Sequence, residues 1–134
     1  TTLHAFAFRG TELITELQRL TVSLRGGFEQ RQGSLVLRFT GQLDAYSEKQ
    51  FKNYVEDVLN ANLSSAVLEL SNIDFLDSSG LGALVQIAKH CNDRKRSFCV
   101  VGNARVVQTI KLVRLEGFLH LAPDLNSALT QLSA

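Results

Sequence analysis

The residues of this chain with the types and spacing for shared chemistry are Asp77, Ser78 and Ser79, followed by Gly80-Leu81-Gly82. An apolar run over residues 65–71 precedes them and a helix-periodic run follows, which places them where a strand gives way to a helix. In open α/β sheets, sites gather beyond the carboxyl ends of the strands, at loops leading into helix N-termini. Two readings fit these residues. Asp-Ser-Ser before an apolar helix is a routine N-cap, with glycine relieving packing against the sheet. Alternatively, two glycines in a first turn, where alanine would be the stable choice, let another backbone approach closely.

Catalytic readings fare poorly. Gly-x-Ser-x-Gly is absent, because Ser79 lacks the preceding glycine. His90 falls on the order of 18 Å along the helix from Ser78, beyond the reach of a general base. His4 and His120 have no clear relation to the loop. No Cys/His or His/carboxylate spacing points to a metal. Ser-Gly-Leu-Gly lacks the length and the lysine of a Walker loop. No enzyme activity, metal or cofactor is expected.

The elements around the loop follow from periodicity. Leu35, Leu37 and Phe39 alternate along a strand over residues 34–40, and the polar stretch Gly41-Gln42-Leu43-Asp44-Ala45-Tyr46 follows. Ser47 and Gln50 have the spacing of a capping box, and Phe51, Tyr54, Val55, Val58 and Leu59 form one helical stripe. A second helix is expected from about Ser78 to Asn92, with Leu81, Leu84, Val85, Ala88 and Cys91 inward. Residues 97–101 form a third strand, and Asn103 caps a third helix carrying Val106, Val107, Ile110 and Val113. A short strand near Phe118–Leu121 precedes a last helix introduced by Pro123 and Asp124. Residues 21–31 add an antiparallel strand turning near Gly33. Helical crossovers between successive strands require parallel pairing, so the class is α/β, a mixed but mostly parallel sheet with about four helices.

Residues 1–20 read as an N-terminal extension to a domain over residues 21–134. Leu13, Ile14, Leu17 and Leu20 would make a short amphipathic helix. Such a helix would cap the domain, form the seam of a homodimer, or end a linker from something upstream.

Composition bounds the remaining possibilities. In 134 residues, 45% are apolar and 20% charged, ordinary values for a globular domain. The net charge of +1 points neither to nucleic acid nor to an anionic membrane. Arg94-Lys95-Arg96 is the one basic cluster and is most simply a solvated turn. No apolar run reaches the roughly 18 residues of a membrane span. Cys91 and Cys99 read as small core hydrophobes in a reducing, cytoplasmic setting. Methionine is absent even at position 1, as in a processed or excised chain.

The run Ile73-Asp74-Phe75-Leu76-Asp77-Ser78-Ser79-Gly80-Leu81-Gly82 resembles the signature of STAS domains, especially anti-sigma factor antagonists. Gly41-Gln42-Leu43-Asp44 is similar to the family's Gly-Glu-Leu-Asp, with Gln42 in place of the usual Glu. Residues 97–132 fit the family's tail, although Arg105 stands where Pro is common. The resemblance covers about residues 22–132. It implies a single STAS-like domain whose first loop serine, Ser78, is phosphorylated. It also implies a partner surface of Asp44, Asp77, Ser78, Ser79, Gly80 and Gly82, with both glycines giving the partner's backbone room. The implied partners are an anti-sigma factor that is also a Ser/Thr kinase, and a Ser/Thr phosphatase that resets the switch. Other roles stay open: a scaffold in a stress-sensing complex, a regulatory module of an anion or lipid transporter, or a nucleotide-binding domain using Ser78–Gly82.

Overall fold

Leu35, Leu37 and Phe39 alternate with Val36 and Arg38 along one strand, and the two sets serve different layers. The computed structural model describes residues 6–9, 12–15 and 17–133, with side chains from Leu17 onward. Its order is β1 (Phe6–Arg9), β2 (Glu12–Thr15), β3 (Gln18–Arg19), β4 (Leu24–Arg31), β5 (Ser34–Leu43), α1 (Glu48–Ala61), β6 (Ala66–Leu76), α2 (Ser78–Asp93), β7 (Phe98–Gly102), α3 (Ala104–Leu112), β8 (Leu121–Ala122) and α4 (Leu125–Ser133). The strands form one sheet in the order β1-β2-β4-β5-β6-β7-β8, with β3 also pairing with β4. β4 and β5 are antiparallel, and β5, β6, β7 and β8 are mutually parallel through helical crossovers. The α/β mixed sheet with four helices is therefore as expected.

The larger core lies under α1, α2 and α3. Phe39 is its centre: its ring meets Phe51 edge-on at 4.7 Å and Tyr54 at 5.9 Å, which docks α1 onto β5. Cutting Phe39 back to alanine would cost about 3–5 kcal/mol in lost contacts and cavity. Every residue of the α1 stripe is buried. On the other face, Val36, Val67, Cys99 and Val101 pack against Ala128 and Leu129 of α4. Glu29 and Arg38 face each other across β4 and β5 on that side, the guanidinium donating twice to Glu29 Oε1 at 2.8 and 2.6 Å. Glu69 lies 3.6 Å from the same guanidinium.

The structure departs from the sequence expectations at several elements. The amphipathic helix over Leu13, Ile14, Leu17 and Leu20 does not form. Residues 6–9 and 12–15 pair as antiparallel strands, and Ile14 faces Glu29 on β4. An unpaired edge of β4 attracts such a segment. Ser47 and Gln50 make no capping box. Ser47 Oγ instead shares its proton between the Gln42 carbonyl at 2.8 Å and Asp44 Oδ1 at 3.1 Å, and accepts from Asp44 N–H. β6 runs on through Leu76 because β5 offers partners as far as Leu43, which shortens the loop before α2 to Asp77. The last strand forms at Leu121–Ala122, just beyond its expected place.

Candidate functional site

β5 and β6 end side by side, with Leu43 paired to Leu76. The Leu43 carbonyl then accepts from Asp77 N–H at 3.2 Å, tying the Asp44 loop to the start of α2. The two loops therefore share one sheet edge. Asp77 is the N-cap of α2: its backbone is extended, and Oδ1 accepts from Gly80 N–H at 3.0 Å. Ser78 is the first helical residue and is exposed. Its hydroxyl makes no hydrogen bond within the protein among the described residues, and the half-buried Ser79 likewise makes none through its side chain.

The two glycines play different parts. A Cβ on Gly80 would collide with the Leu43 carbonyl and come within 2.8 Å of both Leu43 Cβ and Leu76 Cδ1. Gly80 is buried, so the close approach it permits is internal: α2 rests on the end of β5 through it. That corrects its assignment as room for a partner's backbone. Gly82 is exposed, with nothing within 4 Å of where its Cβ would stand, and is free to face a partner.

Asp44 is half-buried and turned onto its own loop. Its Oδ1 accepts from Tyr46 N–H at 3.0 Å and from Ser47 Oγ at 3.1 Å, an Asx-type turn. The turn presents Tyr46, which is 87% exposed. Phe75 at the end of β6 is 46% exposed, paired in register with Gln42 on β5. On the other flank, Asn103 Nδ2 donates to the carbonyls of Ser71 and Ile73 at 3.0 and 2.8 Å. Arg105 Nη1 reaches the Asp74 carbonyl at 3.3 Å. Tyr46, Phe75, Asp44, Asp74, Asp77 and Arg105 thus lie on the segments that end β5 and β6 and begin α2 and α3, with Ser78 on the first turn of α2.

Tyr46, Phe75 and Arg105 were not among the sequence-derived site residues. Phe75 escaped because register shifts between Arg38 and Thr40, and between Gly41 and Gln42, break the alternation that would have marked it as outward-facing. Tyr46 carried a readable signal, an aromatic in a polar loop next to Asp44. Arg105 was noticed only as a departure from Pro.

His90, on α2, lies at the far end of the helix with Nδ1 3.7 Å from Glu56. Cys91 and Cys99 are buried, the Cys91 thiol pushed up to about 11 by burial and the Cys99 thiol also raised. Among the described residues, no helix is long and apolar enough to cross a membrane.

Residues 28–128 match the family model for the STAS domain. The chain belongs to the STAS domain family. This STAS domain is 26% identical over 115 residues to an anti-sigma F factor antagonist of Paenibacillus polymyxa, covering 83% of this chain and 97% of that protein. The crystal structure of an anti-sigma factor antagonist from Mycobacterium paratuberculosis superposes with a TM-score of 0.75 at 25% identity, over 84% of this chain and 96% of that one. The murine anion transporter Slc26a9 contains the same fold, with a TM-score of 0.67 at 17% identity, over 75% of this STAS domain and 18% of the transporter.

Proposed function

We propose that this STAS domain is a phosphorylation-switched, non-catalytic anti-sigma factor antagonist of the cytoplasm. Unphosphorylated, it binds an anti-sigma factor that is also a Ser/Thr kinase, through the surface around Ser78. Phosphorylation of Ser78 dissociates the pair, and a Ser/Thr phosphatase restores binding. One observation carries this reading: Ser78 is exposed with its hydroxyl uncommitted, while its neighbours Asp77 and Gly80 are used to hold the helix start in place.

The physics of such a switch is local. A phosphoserine carries nearly two negative charges at pH 7. At the first residue of α2 the free amides and the helix dipole favour that charge, so the fold tolerates it. Next to the carboxylates of Asp44, Asp74 and Asp77, however, it makes the surface strongly acidic. A partner that buries a neutral hydroxyl beside Tyr46 and Phe75 then meets repulsion and the cost of desolvating a dianion. Similarity to two anti-sigma factor antagonists over almost their whole length supports this assignment.

The test is phosphorylation by a candidate anti-sigma Ser/Thr kinase from the same organism, followed by peptide mass mapping and a binding titration. Phosphate on Ser78 and loss of binding on its addition are expected. Phosphate placed chiefly on Ser79, or binding indifferent to modification, refutes the reading.

A further inference from the structure

At the other end of α2, about 24 Å from Ser78 by the rise of a helix of this length, the chain turns through Arg94, Lys95 and Arg96. The turn is not simply solvated. The three residues line a cleft of 590 Å³ together with Asn60, Ser65 and Ser97. A second cleft of 330 Å³ shares Lys95, Arg96 and Ser97 with the first and adds His120 and Gln131. No carboxylate lines either cleft. In a chain with 13 acidic and 14 basic residues, that is a concave surface whose charged groups are all of one sign, with Leu63 and Leu132 completing the larger cleft.

Its cations are held differently. Arg96 donates to the Leu59 carbonyl at 2.8 Å and the Ser64 carbonyl at 3.0 Å, closing the end of α1 and fixing its own charge in the wall. Arg94 makes one long bond, 3.3 Å to the His90 carbonyl. Lys95 side-chain nitrogen has no hydrogen-bond or ion-pair partner among the described residues.

The backbone of Lys95 makes this freedom informative. Its φ is 54°, the left-handed region that favours glycine. Lys95 N–H bonds the Asn92 carbonyl at 3.1 Å and Arg96 N–H the Cys91 carbonyl at 2.8 Å, the paired closure that ends many helices with glycine at this position. A lysine there is strained, and no described residue uses its ammonium. His120, across the second cleft, is also left-handed with φ 52°, its ring edge-on to Phe98 at 4.9 Å. Strained non-glycine residues persist where the surroundings enforce them, and they cluster at ligand clamps.

We propose that this cleft binds a soluble phosphorylated compound, with Lys95 and Arg94 meeting the phosphate, Arg96 forming a fixed positive wall, and Asn60, Ser65 and Ser97 supplying hydrogen bonds. Charge-assisted bonds to phosphate are among the strong ones, and a lysine is a natural point-charge partner for it. The groups lie within a hollow, which suits a compact anion rather than the plane of a membrane. The site is remote from Ser78, and the proposal is independent of the reading of that serine.

The experiment is amide NMR of the ¹⁵N-labelled chain titrated with inorganic pyrophosphate and with adenosine 5′-monophosphate. In a parallel arm, the protein is sedimented with phosphatidylcholine vesicles doped with phosphatidylglycerol. Saturable shifts are expected at Lys95, Arg96, Ser97 and His120 with at least one soluble probe, and none at Ser78. Lys95→Gly should weaken binding about tenfold or more while raising the thermal midpoint, since it removes a charged contact and relieves strain together. Arg94→Gln should weaken binding without the gain in stability. Absence of saturable shifts with both soluble probes, affinity unchanged in Lys95→Gly and Arg94→Gln, or capture by the anionic vesicles alone would overturn the proposal.

Discussion

Ser78, Gly80 and Gly82 lie within one turn of each other and make separable demands on the protein. Gly80→Ala must push a methyl into the Leu43 carbonyl that also accepts from Asp77, so it should destabilise the fold by about 1–3 kcal/mol. Gly82→Ala fills open space on an exposed helix position and should stabilise by up to about 1 kcal/mol. Urea midpoints of the two variants decide whether the first turn is internal packing or open surface; equal shifts would contradict the geometry. Ser78→Asp adds a carboxylate at the first residue of α2, where helix amides welcome it, and should move the same midpoint by less than about 1 kcal/mol. A larger loss would mean that a charge at Ser78 acts by unfolding the loop. The asymmetry of the glycines was not legible in the sequence, where both weaken a helix equally. Only the meeting of β5 with α2, a contact between residues far apart in the chain, tells them apart. By contrast, Asp77 as N-cap and Asn103 as N-cap were both readable, because a cap is set by residues three apart.

Elements whose apolar residues face one layer were the legible ones: the stripe of α1, the run of β7 and the α2 boundaries all stand as periodicity implies. Elements decided by a partner elsewhere were not. Residues 6–9, 12–15 and 18–19 join the sheet because β4 has an edge to offer, and the leucines of this stretch fit a helix equally well. The pairing of β4 with β5 carries its own prediction. Arg38→Met would leave the carboxylates of Glu29 and Glu69 without the cation between them, while keeping much of the side-chain bulk. The loss should be about 1–3 kcal/mol, as read by thermal melting. Near the end of α2, His90 gives a pH signature. Burial, then the charge of Arg94, lowers its pKa below the ordinary 6.5, and Arg96 and Lys52 add to this while Glu56 opposes it. The unfolded chain therefore takes up the proton more readily. The stability that His90 contributes is full above about pH 6.5 and is lost as the pH falls through the folded value. His90→Gln should flatten that part of the stability curve; an unchanged slope would place the titration elsewhere.

At the scale of the whole molecule, the near-neutral chain sets Asp77 beside Ser78 at the start of α2 and Arg94, Lys95 and Arg96 around the cleft beyond its end. A partner approaching the Ser78 end should therefore respond to local charge more than to net charge, because at physiological salt the Debye length of about 8 Å hides the far end. Three variants separate charge from shape there. Ser78→Ala removes a hydroxyl that has no hydrogen bond among the described residues, so it should bind the anti-sigma kinase as the wild type does and stay bound in the presence of ATP. Asp44→Ala removes the acceptor that holds Tyr46 N–H and Ser47 Oγ, so it should loosen the presentation of Tyr46 and weaken binding roughly five- to hundred-fold through loss of about 1–3 kcal/mol. Ser78→Asp sets a charge beside Asp77 in a surface that must desolvate, and should weaken binding most. Titrating each variant at two salt concentrations distinguishes the causes. If repulsion between the acidic surface and the partner dominates, high salt restores part of the Ser78→Asp affinity and leaves the Asp44→Ala loss in place. If desolvation dominates, neither recovers. Wild-type affinity in Ser78→Asp at both salts would show that the partner does not bury Ser78, and the switch would have to be sought on another face.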